Sequence, residues 1–171
     1  ETGETYTYTS KAIAITSDIT WEYGTISYTD YTVTYYSDYN YTTAIDTPVN
    51  YGTYYYTISV NLNNVTGSAN GYYDIAKRDI SELTVTLQNY FSQYTGAAKE
   101  PAFEFESTYG TVTYTATYSN NVNVGVGKAL VAASGNFKGT TTVTFDITAL
   151  DLTTTQIVAG NATVDYGDTE N

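Results

Sequence analysis

Thr140-Thr141-Thr142-Val143-Thr144-Phe145-Asp146-Ile147-Thr148 is the stretch that decides the fold. Val143, Phe145 and Ile147 alternate with Thr142, Thr144, Asp146 and Thr148. In an extended chain the three apolar residues share one face, and the polar ones share the other. That is the in–out pattern of an antiparallel strand with one wet face. The run Thr53 to Val60 alternates in the same way and puts Ile58 and Val60 inward, with Tyr73 and Ile75 inward on the strand that follows.

Working outward, the pattern recurs. Val49-Asn50-Tyr51-Gly52 answers Val122-Asn123-Val124-Gly125, and Asn64-Val65-Thr66-Gly67 answers Asn136-Phe137-Lys138-Gly139. Tyr73-Asp74-Ile75 answers Phe145-Asp146-Ile147, Asp79-Ile80 answers Asp151-Leu152, and Tyr31–Tyr35 resembles Tyr114–Tyr118. Period-2 alternation predicts strands at Ile26–Tyr36, Gly52–Asn61, Gly71–Ala76, Leu83–Leu87, Thr111–Ser119, Gly127–Ala133, Thr140–Thr148 and Thr155–Ala159. Turn signals punctuate them, and one short helical turn is expected at Asp79–Glu82. Many short strands at regular spacing make this an all-β chain of tandem antiparallel β-sandwich repeats. The first repeat is expected at residues 11–76 and the second at 77–149. Residues 1–10 read as the closing strand of a preceding repeat or a leading segment. Residues 150–171 read as the opening strand of a following one, so the chain reads as a slice of a longer array.

The motifs carry a resemblance. Tyr94-Thr95-Gly96-Ala97-Ala98-Lys99-Glu100-Pro101, Tyr118 to Gly125 and Gly135 to Thr140 resemble the bacterial immunoglobulin-like repeats of Gram-positive surface proteins. Trp21-Glu22-Tyr23-Gly24, Asn50 to Tyr54, Lys77-Arg78-Asp79-Ile80 and Asp165 to Asp168 are similar to the MBG repeats of the same proteins. The resemblance covers most of residues 11–171. It implies immunoglobulin-like sandwiches in a secreted or cell-wall-attached protein, a stalk or adhesin with no catalytic residues to carry over. The first repeat departs from it in its tyrosine load and its long Ser37–Pro48 connection.

Composition narrows the function. The chain has 21 Tyr against 5 Phe and 1 Trp, and no Cys, His or Met. Without His or Cys there is no Ser-His-Asp or Cys-His nucleophile, and no zinc site of imidazole or thiolate. A net charge of −12 with no Lys/Arg cluster argues against nucleic acid and anionic membranes as partners. No apolar run reaches a membrane span, so no membrane insertion is expected.

Residue chemistry then leaves a short set of candidates. Glu104 and Glu106 are separated by one residue in Phe103-Glu104-Phe105-Glu106, so in a strand both would share one face while Phe103 and Phe105 fill the other. Paired carboxylates run glycoside hydrolysis, but a solvated face over two core phenylalanines is the plainer reading, and no enzyme activity is expected. Asp165, Asp168 and Glu170 are weak candidates for a metal, and calcium suits such hard oxygens. No known calcium-loop spacing is present, so no cofactor is expected. Lys11, Lys77, Lys99, Lys128 and Lys138 would matter only if one were buried beside an Asn for a cross-link. Sequons stand at Asn40, Asn64 and Asn161.

Tyrosine is the sharper signal. Tyr28, Tyr31, Tyr35, Tyr36, Tyr39, Tyr41, Tyr51 and Tyr54 to Tyr56 cluster in the first repeat, and strand alternation sends about half of them outward. Tyrosine offers rigid contact area with a polar tip, suited to binding a glycan or a host surface protein. Loops on rigid sandwiches carry binding, so Tyr36, Asp38, Tyr39, Tyr41 and Asp46 are the expected ligand-binding residues. Three readings follow: a stalk whose partners are neighbouring repeats, a binding module, and a fibre built by strand complementation. A stalk predicts scattered exposed tyrosines, and a binding module predicts one contiguous patch.

Overall fold

The computed structural model describes residues 3–152. The expected strand Thr155–Ala159, the acidic residues Asp165, Asp168 and Glu170, and the sequon Asn161 lie outside them. So does most of the 150–171 opening strand.

The described chain is all-β. Its strands are β1 (Glu4–Thr7), β2 (Ile19–Trp21), β3 (Gly24–Ile26), β4 (Tyr31–Tyr36), β5 (Ala44–Ile45), β6 (Gly52–Leu62), β7 (Val65–Ala76) and β8 (Arg78–Asp79). Then come β9 (Thr84–Gln88), β10 (Ala102–Glu106), β11 (Thr113–Ser119), β12 (Gly125–Ser134), β13 (Phe137–Lys138) and β14 (Thr140–Ile147). Helix is confined to single 3₁₀ turns at Tyr28–Asp30 and Ile80–Glu82.

The first lobe is a five-stranded sheet in the order β1-β7-β6-β4-β5. Its core is aromatic: Tyr8, Tyr35 and Tyr73 are buried with Ile75, and Tyr54 and Tyr56 pack on them. The segment 12–18 covers the sheet without forming a strand. The second lobe sets the β9–β10 pair against the β11-β12-β14 sheet. Phe103, Ala129, Val131, Phe145 and Ile147 are its buried centre, the two-layer arrangement that one-faced strands require. In each lobe an aromatic ring covers a cross-strand glycine, Tyr56 over Gly71 and Phe145 over Gly127.

Phe145 and Ile147 are buried, Val143 is half-buried, and Thr142 and Thr144 face water. The register read from alternation therefore holds in β14. Three expectations need correction. The single strand expected over Ile26–Tyr36 is broken by the 3₁₀ turn, where Asp18 accepts from the Tyr28 amide at 2.9 Å and Ser27 caps the turn. The strand expected from Gly71 begins at Val65, because Thr66 to Asn70 are exposed and give no apolar contrast. Ile58 and Val60 are half-buried, since they border an open apolar cleft of about 190 Å³ with Ile19 and Ile26.

Residues 4–7, which alternate as a free strand would, are placed by the structure beside β7. Glu4 to Thr7 run parallel to Tyr73 to Ala76, and the Tyr8 amide donates to the Ala76 carbonyl at 2.9 Å. Unpaired backbone groups find partners this way, and Tyr8 is carried into the core. The second lobe has the same device. Gln93 bridges Thr148 in parallel, Tyr94 donates to the Thr148 carbonyl at 2.8 Å, and Thr148 donates to Ser92 at 2.9 Å.

Candidate functional site

A row of tyrosines crosses the outer face of the first lobe. Tyr36 pairs with Tyr55 and Tyr55 with Tyr72, so three rings stand side by side on β4, β6 and β7. They alternate with Tyr35, Tyr56 and Tyr73, which point into the core. Strand pairing sets neighbouring rings of the row about 4.8 Å apart at the backbone.

The loop between β4 and β5 adds two more rings. Tyr41 meets Tyr36 edge-to-face at 5.5 Å and Tyr55 at 6.0 Å, and Tyr39 meets Tyr55 at 5.8 Å. Tyr55 meets Tyr72 at 6.3 Å. Tyr39 is 73% exposed and Tyr72 40%; Tyr36, Tyr41 and Tyr55 are half-buried by one another. Edge-to-face contacts of this kind hold rings in place beyond what burial alone does.

Asp38 builds the loop that carries Tyr39 and Tyr41. Its carboxylate accepts from the amides of Asn40 (3.1 Å), Thr42 (3.2 Å) and Thr43 (2.7 Å), and from the Thr42 hydroxyl (3.0 Å). The Thr43 amide above all holds the Asp38 carboxyl below its ordinary pKa, with the other Thr42 and Thr43 donors adding to it. Tyr41 takes the left-handed conformation (φ 58°) that such a tight turn demands. Asp38 thus spends its lone pairs on the loop itself and positions Tyr39 and Tyr41.

Of the residues expected from sequence, Tyr36, Tyr39 and Tyr41 come together, with Asp38 beneath them. Asp46 is exposed beyond β5 and takes no part in the ring contacts. Sequence reasoning missed Tyr72 and the central place of Tyr55. The tight turn at Asn63-Asn64 fixes the β6–β7 register, and once it is recognised Tyr55 falls opposite Tyr72.

No protein-family model matches the chain, and no curated protein matches it.

The other candidates assemble nothing. Glu104 accepts from the Gln88 side chain at 2.7 Å and borders a cavity of about 470 Å³ whose lining does not include Glu106. Among the described residues no three carboxylates cluster as a metal site. None of the five lysines is buried; Lys77 lies over the Tyr51 ring at 4.2 Å and Lys99 over Phe91 at 5.2 Å. Among the described residues no helix is long and apolar enough to cross a membrane. Asn40 and Asn64 are exposed in loop positions.

Proposed function

We propose that the chain is a pair of tandem immunoglobulin-like repeats from an extracellular surface protein, and that the tyrosine row of the first repeat binds a neutral carbohydrate. One observation carries this reading: Tyr36, Tyr39, Tyr41, Tyr55 and Tyr72 form one contiguous, partly exposed patch. Rings repeated at the inter-strand spacing suit a ligand that is itself a chain of rings laid across the strands. Sugar rings present apolar C–H faces to stack on tyrosine and hydroxyls to meet phenol tips. A neutral ligand also meets no repulsion from a chain of net charge −12.

Titration calorimetry against a panel of neutral soluble oligosaccharides tests it. Tyr39→Ala and Tyr72→Ala should each weaken binding by about tenfold, ~1.4 kcal/mol, while thermal stability stays put. Retention on immobilised proteins with no glycan binding would replace this reading with protein recognition. Binding by both variants at the affinity of the unsubstituted chain would end it.

A spacer role is favoured by a separate observation, the clamp between lobes. Arg78 donates through Nε to the Tyr8 carbonyl at 2.9 Å, stacks over Tyr109 at 3.6 Å and pairs with Glu82 at 3.3 Å. A junction so tied holds two repeats in one orientation and suits a rigid arm that presents the tyrosine row.

A further inference from the structure

The junction between the lobes consists of a hairpin tip in a socket. The tip is the β12–β14 turn of the second lobe. Asn136 accepts from the Tyr51 amide at 2.9 Å, donates to the Asn50 side chain at 2.9 Å, and accepts from the Arg78 amide at 3.0 Å through its carbonyl. Phe137, 2% exposed, meets the Tyr8 ring edge-to-face and packs with Ile80 and Val112. β13 extends the contact by pairing parallel with β8.

Each half of this joint has a counterpart elsewhere in the chain. The base of the second lobe repeats the socket. Lys99 donates to the Asn121 carbonyl at 2.7 Å as Ile13 donates to Pro48 at 2.9 Å, so Asn123 and Val124 stand where Asn50 and Tyr51 stand. Here the apolar surface is open: Val122, Val124, Val126, Leu150 and Leu152 are all exposed, and residues 120–126 line a cavity of about 480 Å³. Ile80 is 1% exposed under the docked tip, whereas Leu152, its sequence counterpart, is 53% exposed.

The tip of the first lobe repeats the plug. Asn64-Val65-Thr66-Gly67 corresponds to Asn136-Phe137-Lys138-Gly139. In the first lobe these residues stay zipped in the hairpin, with Leu62 opposite Val65 and Asn61 opposite Thr66. In the second, Phe137 and Lys138 leave the hairpin to pair with β8.

We infer that the base of the second lobe is a socket for the Asn-x-x-Gly hairpin tip of another lobe of this construction, and that the Asn64–Gly67 tip is the matching plug. The occupant is a repeat of this chain's own kind, seated as the second lobe is seated on the first. Charge supports it. Residues 61–73 of the tip contain no Asp, Glu, Lys or Arg, and neither do residues 120–127 of the base, so Asp151, between Leu150 and Leu152, meets no like charge on the tip of a second strongly acidic module. The contact is heterologous, tip to base, and repeats along a line. It stands on the junction and is independent of what the tyrosine row binds.

A chain without cysteine makes the test direct. One copy carries Asn64→Cys and a second carries Asn123→Cys, the counterparts of the touching Asn136 and Asn50. Mixed under mild oxidation, they should form disulfide-linked dimers in about tenfold excess over a control pair of Asn64→Cys with Thr86→Cys. Adding Val124→Asp to the socket copy should abolish the excess. A yield equal to the control, or one indifferent to Val124→Asp, overturns the proposal. So does strong hydrogen-exchange protection of amides 122–126 in the dilute full chain, which would mean the socket is already closed.

Discussion

Each lobe has three antiparallel strands at its centre, β4-β6-β7 in the first and β11-β12-β14 in the second, but the two solve one problem with different chemistry. In the second lobe, residues 102–106 form β10 and pair with β9. In the first, the segment 12–18 lies over the sheet as no strand at all. Its backbone groups are met instead by tyrosine hydroxyls from the sheet below. Tyr73 donates to the Ile13 carbonyl at 2.8 Å, Tyr35 accepts from the Ile15 amide at 2.8 Å, and Tyr31 donates to the Ser17 carbonyl at 2.7 Å. Buried backbone groups must find partners, and where no strand supplies them a phenol tip can. The second lobe keeps part of the device, with Tyr114 bonded to Phe103 and Tyr118 to Pro101. At the position of Tyr73, however, it has Phe145, whose ring packs on Tyr90 and Tyr118.

The contrast is broken most severely at Phe137. The residue belongs to the second lobe by sequence yet fills the first lobe's core. Phe137→Ala should cost about 3–5 kcal/mol, and the loss should fall on the first lobe. Denaturation followed by hydrogen exchange would show β6 and β7 amides opening early; equal loss of protection in β12 and β14 would contradict the assignment.

Alkaline pH should separate the lobes next. In the first, the bond to Glu4, then burial, pushes Tyr6 up to about 12 from 10.0. Burial above all raises Tyr73 further, and raises Tyr31, Tyr35 and Tyr54. In the second lobe burial raises Tyr90 and Tyr118. A raised folded value means the native state holds its protons more tightly. The stabilisation is therefore complete below the unfolded value near 10 and is lost as pH climbs through the folded values. The first lobe should unfold first above about pH 10, as tyrosinate absorbance and circular dichroism would report. Simultaneous unfolding of both lobes would remove the distinction.

Tyr73→Phe is a finer cut. It deletes one hydroxyl and strands the Ile13 carbonyl, for a cost of about 1 kcal/mol. If urea midpoints do not move, the hydroxyl ties are ornament to the packing. The smallest effect belongs to Asp38→Ala. It should leave global stability nearly unchanged while loosening the loop under Tyr39 and Tyr41, visible as faster exchange at the Thr42 and Thr43 amides. Unchanged exchange there would mean the loop holds its shape without the carboxylate.

Much of this was legible in the sequence where one face of a strand is apolar. Residues 52–62 and 140–147 announce themselves because water and core sit on opposite sides of the pleat. The Tyr36–Tyr41 loop was legible because tyrosine there had no core left to fill. Thr66 to Asn70 were silent, since both faces of that stretch are exposed, and with them went the register that sets Tyr72 beside Tyr55. The hydroxyl ties of Tyr31, Tyr35 and Tyr73 were equally hidden. Their partners are backbone atoms 14 to 60 residues away, and no side-chain pattern encodes a carbonyl.

The parallel pairing of β1 with the end of β7 has a mechanical consequence. A pull that draws the chain apart from the two ends of the first lobe runs along both strands in opposite directions. The bonds from Glu4–Tyr73 to Thr7–Ala76 then lie across the load and must yield together, in shear. An antiparallel hairpin pulled from its open end would peel one bond at a time. The second lobe repeats the arrangement where residues 92–94 meet Thr148. Tension along the chain is therefore borne at the point in each lobe where a terminal strand lies beside the closing one.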